Sequence, residues 1–459
     1  MHLLKFDFDY SRRAFLAKAG TLTGAGVLAP LWPLIAKGAD ISKAYPDELM
    51  SIDAYTKGKI KTGDLITAAN VDIVKDLLTP IAYKQVKEMG RRIRIVPTTK
   101  DISRLFPHDY FEATLKNAGK ASFGADGNVY APGGERWIGG NPFPDAKTPL
   151  EAYANLTLSW GRHNSAVYAV KDWDIGPDGK VNYQYDFAWI EENTCGRLGA
   201  GGAVGPYSGD SHKDKLRYQT VIFTGPSDVR GTGYLNTWYY DQKKFPDLVG
   251  YVPAFKRVRK FPTNQRFEPL APGLTFYLSD AWAAGDPMMT WGNYKLVERR
   301  PMLGAVSNNQ VDDPNWELPT HGGPQGLTFY EYNMELIPEC LVVDAEPVGF
   351  PRAPIGKKRA WIDARNMMYI GYHTYDRRGE LFKSFEPAYG LYEKNGVRDL
   401  TGKHTTWSWT SCMTHDIQAN RMSRFVQAKQ IAGGFKSARN VEGVYEKYLT
   451  EQALSRLGA

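Results

Sequence analysis

The sequence predicts a mainly β fold of the α+β class: a large antiparallel sheet, with helices confined to the two ends of the chain. Three observations carry this. Aromatic residues make up 13% of the 459 positions, with 27 Tyr, 20 Phe and 12 Trp, and such side chains suit the pleated, half-buried surface of strands. Gly (45) and Pro (28) are plentiful and supply turns. From residue 166 onward, turn signals recur about every eight to twelve residues between short aromatic and β-branched runs.

The first 38 residues read as an address. Arg12-Arg13 is followed by Phe15-Leu16 and Lys18, resembling the signal read by the bacterial twin-arginine translocase. The apolar stretch Ala19–Ala36 is broken by Gly20, Gly24, Gly26, Pro30 and Pro33, which makes it a poor spanning helix. Ala36-Lys37-Gly38 offers small residues for cleavage after Gly38. The expected product is a soluble periplasmic protein, residues 39–459, forming one large domain that opens with a helical arm over about 64–160. No Cys lies near the cleavage point, so no lipid anchor is expected, and three Cys make no disulfide framework.

The arm comes first in the mature chain. Asn70 is placed to cap a short helix through Leu78. Thr79 and Pro80 begin another, with Pro at the first helical position, where its missing N–H costs nothing, and Gly90 closes it. Thr148-Pro149-Leu150-Glu151 is a capping box, and its helix runs through Tyr153 and Leu156 to Trp160. Strands follow at Ala166–Val170 and Val181–Ile190 around the turn Gly176-Pro177-Asp178-Gly179. Further runs are Tyr218–Phe223, Gly233–Tyr240, Leu248–Val252 and Leu327–Leu336, then Arg359–Ile362, Met367–Tyr375 and Leu381–Phe385. Asn440–Leu457 returns to helix.

Net charge is +7, but Lys5, Arg12, Arg13, Lys18 and Lys37 against Asp7 and Asp9 put +3 of it in the address, leaving +4. Arg91-Arg92-Ile93-Arg94 and Lys256-Arg257-Val258-Arg259-Lys260 alternate with apolar residues as strand faces do. Nucleic acid is therefore not an expected partner.

The usual catalytic motifs are absent: no Gly-x-Ser-x-Gly, His-Glu-x-x-His or Cys-x-x-Cys. The glycine-rich run from Gly196 to Gly202 lacks the helix that a dinucleotide loop requires and reads as a loop over the sheet. Asp172-x-Asp174-x-Gly176-x-Asp178 lacks the closing acid of a calcium loop, since Tyr183 stands there, and reads as a polar hairpin turn. Cys412-x-x-His415 with His404 is a thin metal signal, and His321 and His373 are isolated. No metal or cofactor is expected.

The segment Gly225-Pro-Ser-Asp228-Val-Arg-Gly231-Thr232-Gly-Tyr-Leu235 is followed by Gly250-Tyr251-Val-Pro253-Ala254-Phe-Lys-Arg257-Val258-Arg259. The pair resembles two strands of the outer-membrane lipoprotein-sorting-like (LolA/LolB-like) proteins. More specifically, the chain is similar to the bacterial domain-of-unknown-function 1329 family. Ile66-Thr-Ala-Ala-Asn70, Gly139-Gly140-Asn-Pro142-Phe143-Pro144, Leu278-Ser-Asp280 with Asp286-Pro287, Trp291-Gly-Asn-Tyr294-Lys-Leu296, and Tyr375-Asp376-Arg-Arg-Gly379-Glu-Leu381 extend the likeness in order from about 64 to 390. The twin-arginine signal and the segments 195–215 and 301–326 depart from the family's pattern.

The resemblance implies a strongly curved antiparallel sheet, an incomplete β-barrel covered by helices, whose apolar concavity holds a lipid or other hydrophobic compound in the periplasm. It also implies partners, an inner-membrane transporter and an outer-membrane barrel, and it supplies no catalytic residues. The expected lining is Phe223, Tyr234, Leu235, Trp238, Tyr251, Phe276, Tyr330, Met334, Met368, Ile370 and Tyr372. Two other readings stay open. One is a periplasmic enzyme acting on a hydrophobic substrate, with His321, His373, His404, Cys412 and His415 as its candidates. The other is an envelope scaffold whose aromatics form an interface.

Overall fold

The computed structural model describes residues 40–42, 44–158, 161–198, 212–281, 286–309 and 313–459. The twin-arginine motif, Trp160 at the expected helix end, and most of the run from Gly196 to Gly202 lie outside the described residues.

One sheet of sixteen strands organises the molecule. In chain order these are β1 (Leu65–Ile66), β2 (Ile93–Ile95), β3 (Ser165–Ile175), β4 (Val181–Asn193), β5 (Lys215–Gly225), β6 (Gly233–Tyr239), β7 (Asp247–Val252) and β8 (Arg257–Phe261). After them come β9 (Gly292–Gly304), β10 (Tyr332–Glu346), β11 (Ile355–Asp363), β12 (Met368–Asp376), β13 (Leu381–Leu391), β14 (Trp407–Asp416), β15 (Arg421–Ala428) and β16 (Ala438–Arg439). The path across the sheet is β1-β2-β10-β11-β12-β13-β14-β15-β3-β4-β5-β6-β7-β8, with β9 on β10 and β16 on β3. Pairing is antiparallel except where β2 runs parallel to Tyr332–Met334. The two ends of the path do not pair, so the sheet curves without closing into a barrel.

Local chemistry explains the elements that the sequence announced. The β3–β4 hairpin turns where Gly179, at φ +78°, donates its N–H to Gly176 O at 2.9 Å. Helix α1 (Pro80–Glu88) starts with the Thr79 hydroxyl accepting from Ala82 N–H. A second helix, α2 (His108–Asn117), had no clear sequence signal. Helix α3 (Pro149–Leu158) has the reciprocal box: Glu151 N–H donates to Thr148 Oγ1 at 3.2 Å, and Thr148 N–H to Glu151 Oε2 at 3.0 Å. The C-terminal helix divides into α4 (Val444–Tyr448) and α5 (Glu451–Gly458).

Two expectations need correction. The segment after Asn70 is a 3-10 helix, Val71–Leu77, and Asn70 does not cap it; its Oδ1 instead accepts from Thr67 N–H at 2.8 Å. Asp172 and Asp174 are not turn residues but buried on β3, and only Asp178 and its neighbours form the turn.

Covering elements lie on both faces. The inner face carries the largest apolar cluster, joining residues from β3–β6 to others from β10–β15, and α2 and α3 pack there. On the outer face, the arm (Ile66, Val71, Val74, Leu77, Val86) covers Tyr330, Met334, Met413 and Val426. Elsewhere on that face, α4 and α5 cover Val167, Ile190, Leu235 and Tyr251. Among the described residues, no helix is long and apolar enough to cross a membrane.

The segment between β8 and β9 crosses the inner face as a strap held by polar ties. Arg266 Nη2 donates to Asp286 Oδ1 at 2.6 Å, both side chains fully buried, and its Nη1 to Asn236 of β6 at 3.1 Å. Thr275 meets Thr414 Oγ1 at 2.6 Å and Ser423 Oγ at 3.0 Å. Lys383 of β13 pairs with Asp280.

One glycine is sterically required. A Cβ on Gly390 would sit 1.3 Å from the carbonyl oxygen of Asn308. Gly390→Ala must therefore move backbone in a packed region, and a loss of about 1–3 kcal/mol is expected in urea denaturation. An unchanged midpoint would contradict this close approach.

Candidate functional site

Alternation along the inner-face strands builds an aromatic-walled hollow. Tyr168 and Val170 come from β3, Phe187 and Trp189 from β4, Met368 and Tyr369 from β12, and Phe385, Pro387 and Tyr389 from β13. Trp407, Trp409 and Cys412 of β14, Phe425 of β15 and Gly161 complete the wall, and Phe276 of the strap closes it from above. Empty space out to the mouth amounts to about 660 Å³, of which about 60 Å³ admits the centre of a water-sized sphere. That is room for roughly four to six water-sized groups. The inner face is thus mostly a filled core with a modest hollow in it.

The rings that form the wall hold one another. Tyr389 and Trp407 stack at 5.4 Å with planes 1° apart, and Tyr372 and Phe385 at 5.3 Å and 4°. Phe276 leans on Phe425 at 5.4 Å, and Tyr168 meets Trp409 edge-on at 5.4 Å. Two wall hydroxyls are satisfied by backbone: Tyr389 donates to Tyr369 O at 2.9 Å and Tyr372 to Asp280 O at 2.8 Å. They leave ring faces toward the space. Burial pushes the Cys412 thiol upward, so it stays protonated.

Farther along β3 the same face becomes polar. Asp172 and Asp174 lie beside Ser423, which donates to Asp174, and beside the Thr275–Thr414 pair. Burial pushes the Asp174 carboxyl up to about 7. Asp172 is pushed up further, by burial and then by the neighbouring Asp174 charge.

The expected lining residues are dispersed. Phe276 and Met368 line the hollow, and Tyr372 stacks on its wall. Phe223 backs it through Phe187 at 5.6 Å. Tyr234, Trp238 and Ile370 belong to or pack on the inner cluster but not on the hollow; Trp238 lies under Arg266, and Ile370 near Gly304. Leu235 and Tyr251 face the C-terminal helices, and Tyr330 and Met334 face the arm. The rings that sequence reading passed over are Tyr168, Phe187, Trp189, Tyr369, Phe385, Tyr389, Trp407, Trp409 and Phe425. Their signal was present: Tyr185-x-Phe187-x-Trp189 and Trp407-x-Trp409 repeat at the strand period.

The candidate metal or catalytic residues are not brought together. Cys412 faces the hollow, whereas His415 points the other way, with Nδ1 3.0 Å from Gln85 Nε2. His321 accepts from Arg92 N–H at 2.7 Å, His373 packs on Trp361 at 4.8 Å, and His404 stacks on His108 at 3.5 Å. Among the described residues no group of three His, Cys, Asp or Glu side chains is placed to hold a metal.

Comparison with known proteins bears on the family. No curated protein matches. Solved structures that are similar include a putative outer membrane lipoprotein-sorting protein domain from Vibrio parahaemolyticus, 13% identical, covering 68% of this chain and 99% of that one at a TM-score of 0.42. A DUF1329 family protein from Desulfovibrio piger is 15% identical, with 67% and 100% covered and a TM-score of 0.43. A LolA superfamily protein from Nitrosomonas europaea is 13% identical, with 61% and 91% covered and a TM-score of 0.34. The model of one family, described as protein of unknown function (DUF1329), matches residues 65–455, nearly all of the sheet and both sets of covering helices, and the chain belongs to that family.

Proposed function

We propose that the protein is a periplasmic carrier for a lipid or other hydrophobic compound. The observation that carries this reading is the aromatic hollow on the inner face. Burying about five methylenes there stabilises the complex by about 4 kcal/mol before the costs of association. That is a weak grip, suited to a cargo that must be released, and a longer chain has to displace part of the wall. The N-terminal motif supports the compartment. An inner-membrane transporter and an outer-membrane barrel are the partners such a carrier needs, as the sequence resemblance implies.

Three of the twelve tryptophans, Trp189, Trp407 and Trp409, line the hollow. A bromine-bearing fatty acid is therefore expected to quench tryptophan emission saturably. Val170→Phe, which fills the hollow, is expected to weaken that quenching about tenfold. Protein without quenching, and without any amphiphile in native mass spectra after isolation from periplasm, would sink the reading.

A further inference from the structure

A second cavity lies on the other side of Trp407, and a buried cation forms its floor. Gly161 lines the aromatic hollow, and the next residue, Arg162, lines this second space. Arg162 is only 3% exposed. Its Nη2 reaches Asn366 O and, at 3.4 Å, Asn141 Oδ1, while Nε and Nη1 have no partner. Among the described residues no carboxylate pairs with it; Asp109, at the rim, is exposed and makes no ion pair with it. Phe106 and Tyr110 lie 5.0 Å from the guanidinium carbon. A guanidinium does not shed its proton, so the charge stands buried without an ion pair, with only the more distant Asp363 carboxylate acting on it, which is costly unless an anion joins it. The backbone at Arg162 is left-handed, φ +58°, an uncommon conformation for a non-glycine residue. The remaining walls are mainly polar or ring-faced, with Asn164, Thr401 and Asn440 and with exposed His404 stacked on His108, while Pro107 and Leu198 are apolar.

We propose that this cavity receives the anionic headgroup of the ligand whose apolar part enters the aromatic hollow, so that the cargo is an anionic amphiphile. The proposal rests on the carrier reading and narrows its cargo. Carboxylate and phosphate headgroups share the required chemistry, an oxyanion that accepts from Nε and Nη1 of the guanidinium fork.

The test compares palmitate, lysophosphatidic acid, uncharged hexadecanol and inorganic phosphate on the mature protein, read by tryptophan quenching competition and calorimetry. One or both anionic amphiphiles are expected to bind at least about tenfold more tightly than hexadecanol. Arg162→Met should erase that preference while leaving hexadecanol affinity unchanged, and Arg162→Lys should keep part of it. Which anionic amphiphile binds more tightly assigns the headgroup. Equal wild-type affinity for hexadecanol and both anions overturns the headgroup site and leaves the carrier reading standing. Uptake of none of the three amphiphiles overturns both. Phosphate binding as tightly as the amphiphiles marks a free-anion site and also overturns the proposal. The wild-type comparison decides even if Arg162→Met fails to fold.

Discussion

Arg365→Met is expected to lower stability by about 3–5 kcal/mol, the largest loss of any single substitution considered. The guanidinium is fully buried and serves two fully buried carboxylates. Nη2 donates to Asp363 Oδ2 at 2.7 Å and Nη1 to Glu335 Oε1 at 2.7 Å. Nη1 also donates to Thr99 O at 3.0 Å. Glu335 lies on β10, Asp363 ends β11, and Thr99 follows β2, so one side chain joins three stretches of the sheet. Methionine fills much of the space but leaves two carboxylates without their cation, and it is that orphaned charge that costs. Urea denaturation should show the midpoint falling by about 1 M. Lys87→Met, which breaks an exposed pair with Asp72, should leave the midpoint unmoved. Equal effects at the two sites would contradict the burial argument.

Acidification is the second large lever. Burial pushes His163 and His373 down to about 3, and His321 and His415 to about 4. A depressed imidazole contributes stability above its unfolded value near 6.5, and that contribution is lost as pH falls toward the folded value. Four such groups together lose about 5 kcal/mol per pH unit at the limiting slope. Asp172 and Asp174 act oppositely. Their raised carboxyls bind protons more tightly when folded, so they add stability as pH falls through about 7 toward 4. Two carboxyls offset about half of the histidine loss. Unfolding free energy should therefore drop by about 2–3 kcal/mol between pH 6 and pH 5. His373→Leu should flatten the slope by about 1 kcal/mol per pH unit. A flat or rising profile in the wild type would show that these imidazoles are not buried neutral.

Legibility in the sequence followed how many faces of an element are buried. The β3–β4 hairpin and the α3 capping box were readable because both are set by residues within a few positions of one another. β14 was missed although Trp407 and Trp409 were in plain view. Its other face also packs, with Met413 under the arm, so Ser408, Thr410 and Ser411 are buried too, and beyond Trp409 the polar and apolar alternation lapses. β9 was missed because Arg299, Arg300 and Pro301 interrupt any apolar alternation. Its register slips between Arg300 and Met302, a bulge where Pro is tolerated. The dispersal of the expected lining has the same origin. Leu235 and Tyr234 are neighbours that face opposite sides, and aromatic content alone does not say which side is which. The cation at Arg162 carried no sequence signal, because its meaning lies in the absence of a nearby acid, a property of the fold.

The placement of β3 beside β15 also sets a timetable. Ser423 meets Asp174 across 249 residues of chain. Until the last tenth of the chain is available, the β3 edge that β15 will cover has exposed amides and carbonyls and no partner. Such long-range closure is slow and cooperative, and it leaves a nascent or truncated chain prone to pairing with its neighbours. Holding the unfinished chain apart from others until Ala428 has emerged is therefore a requirement built into the strand order.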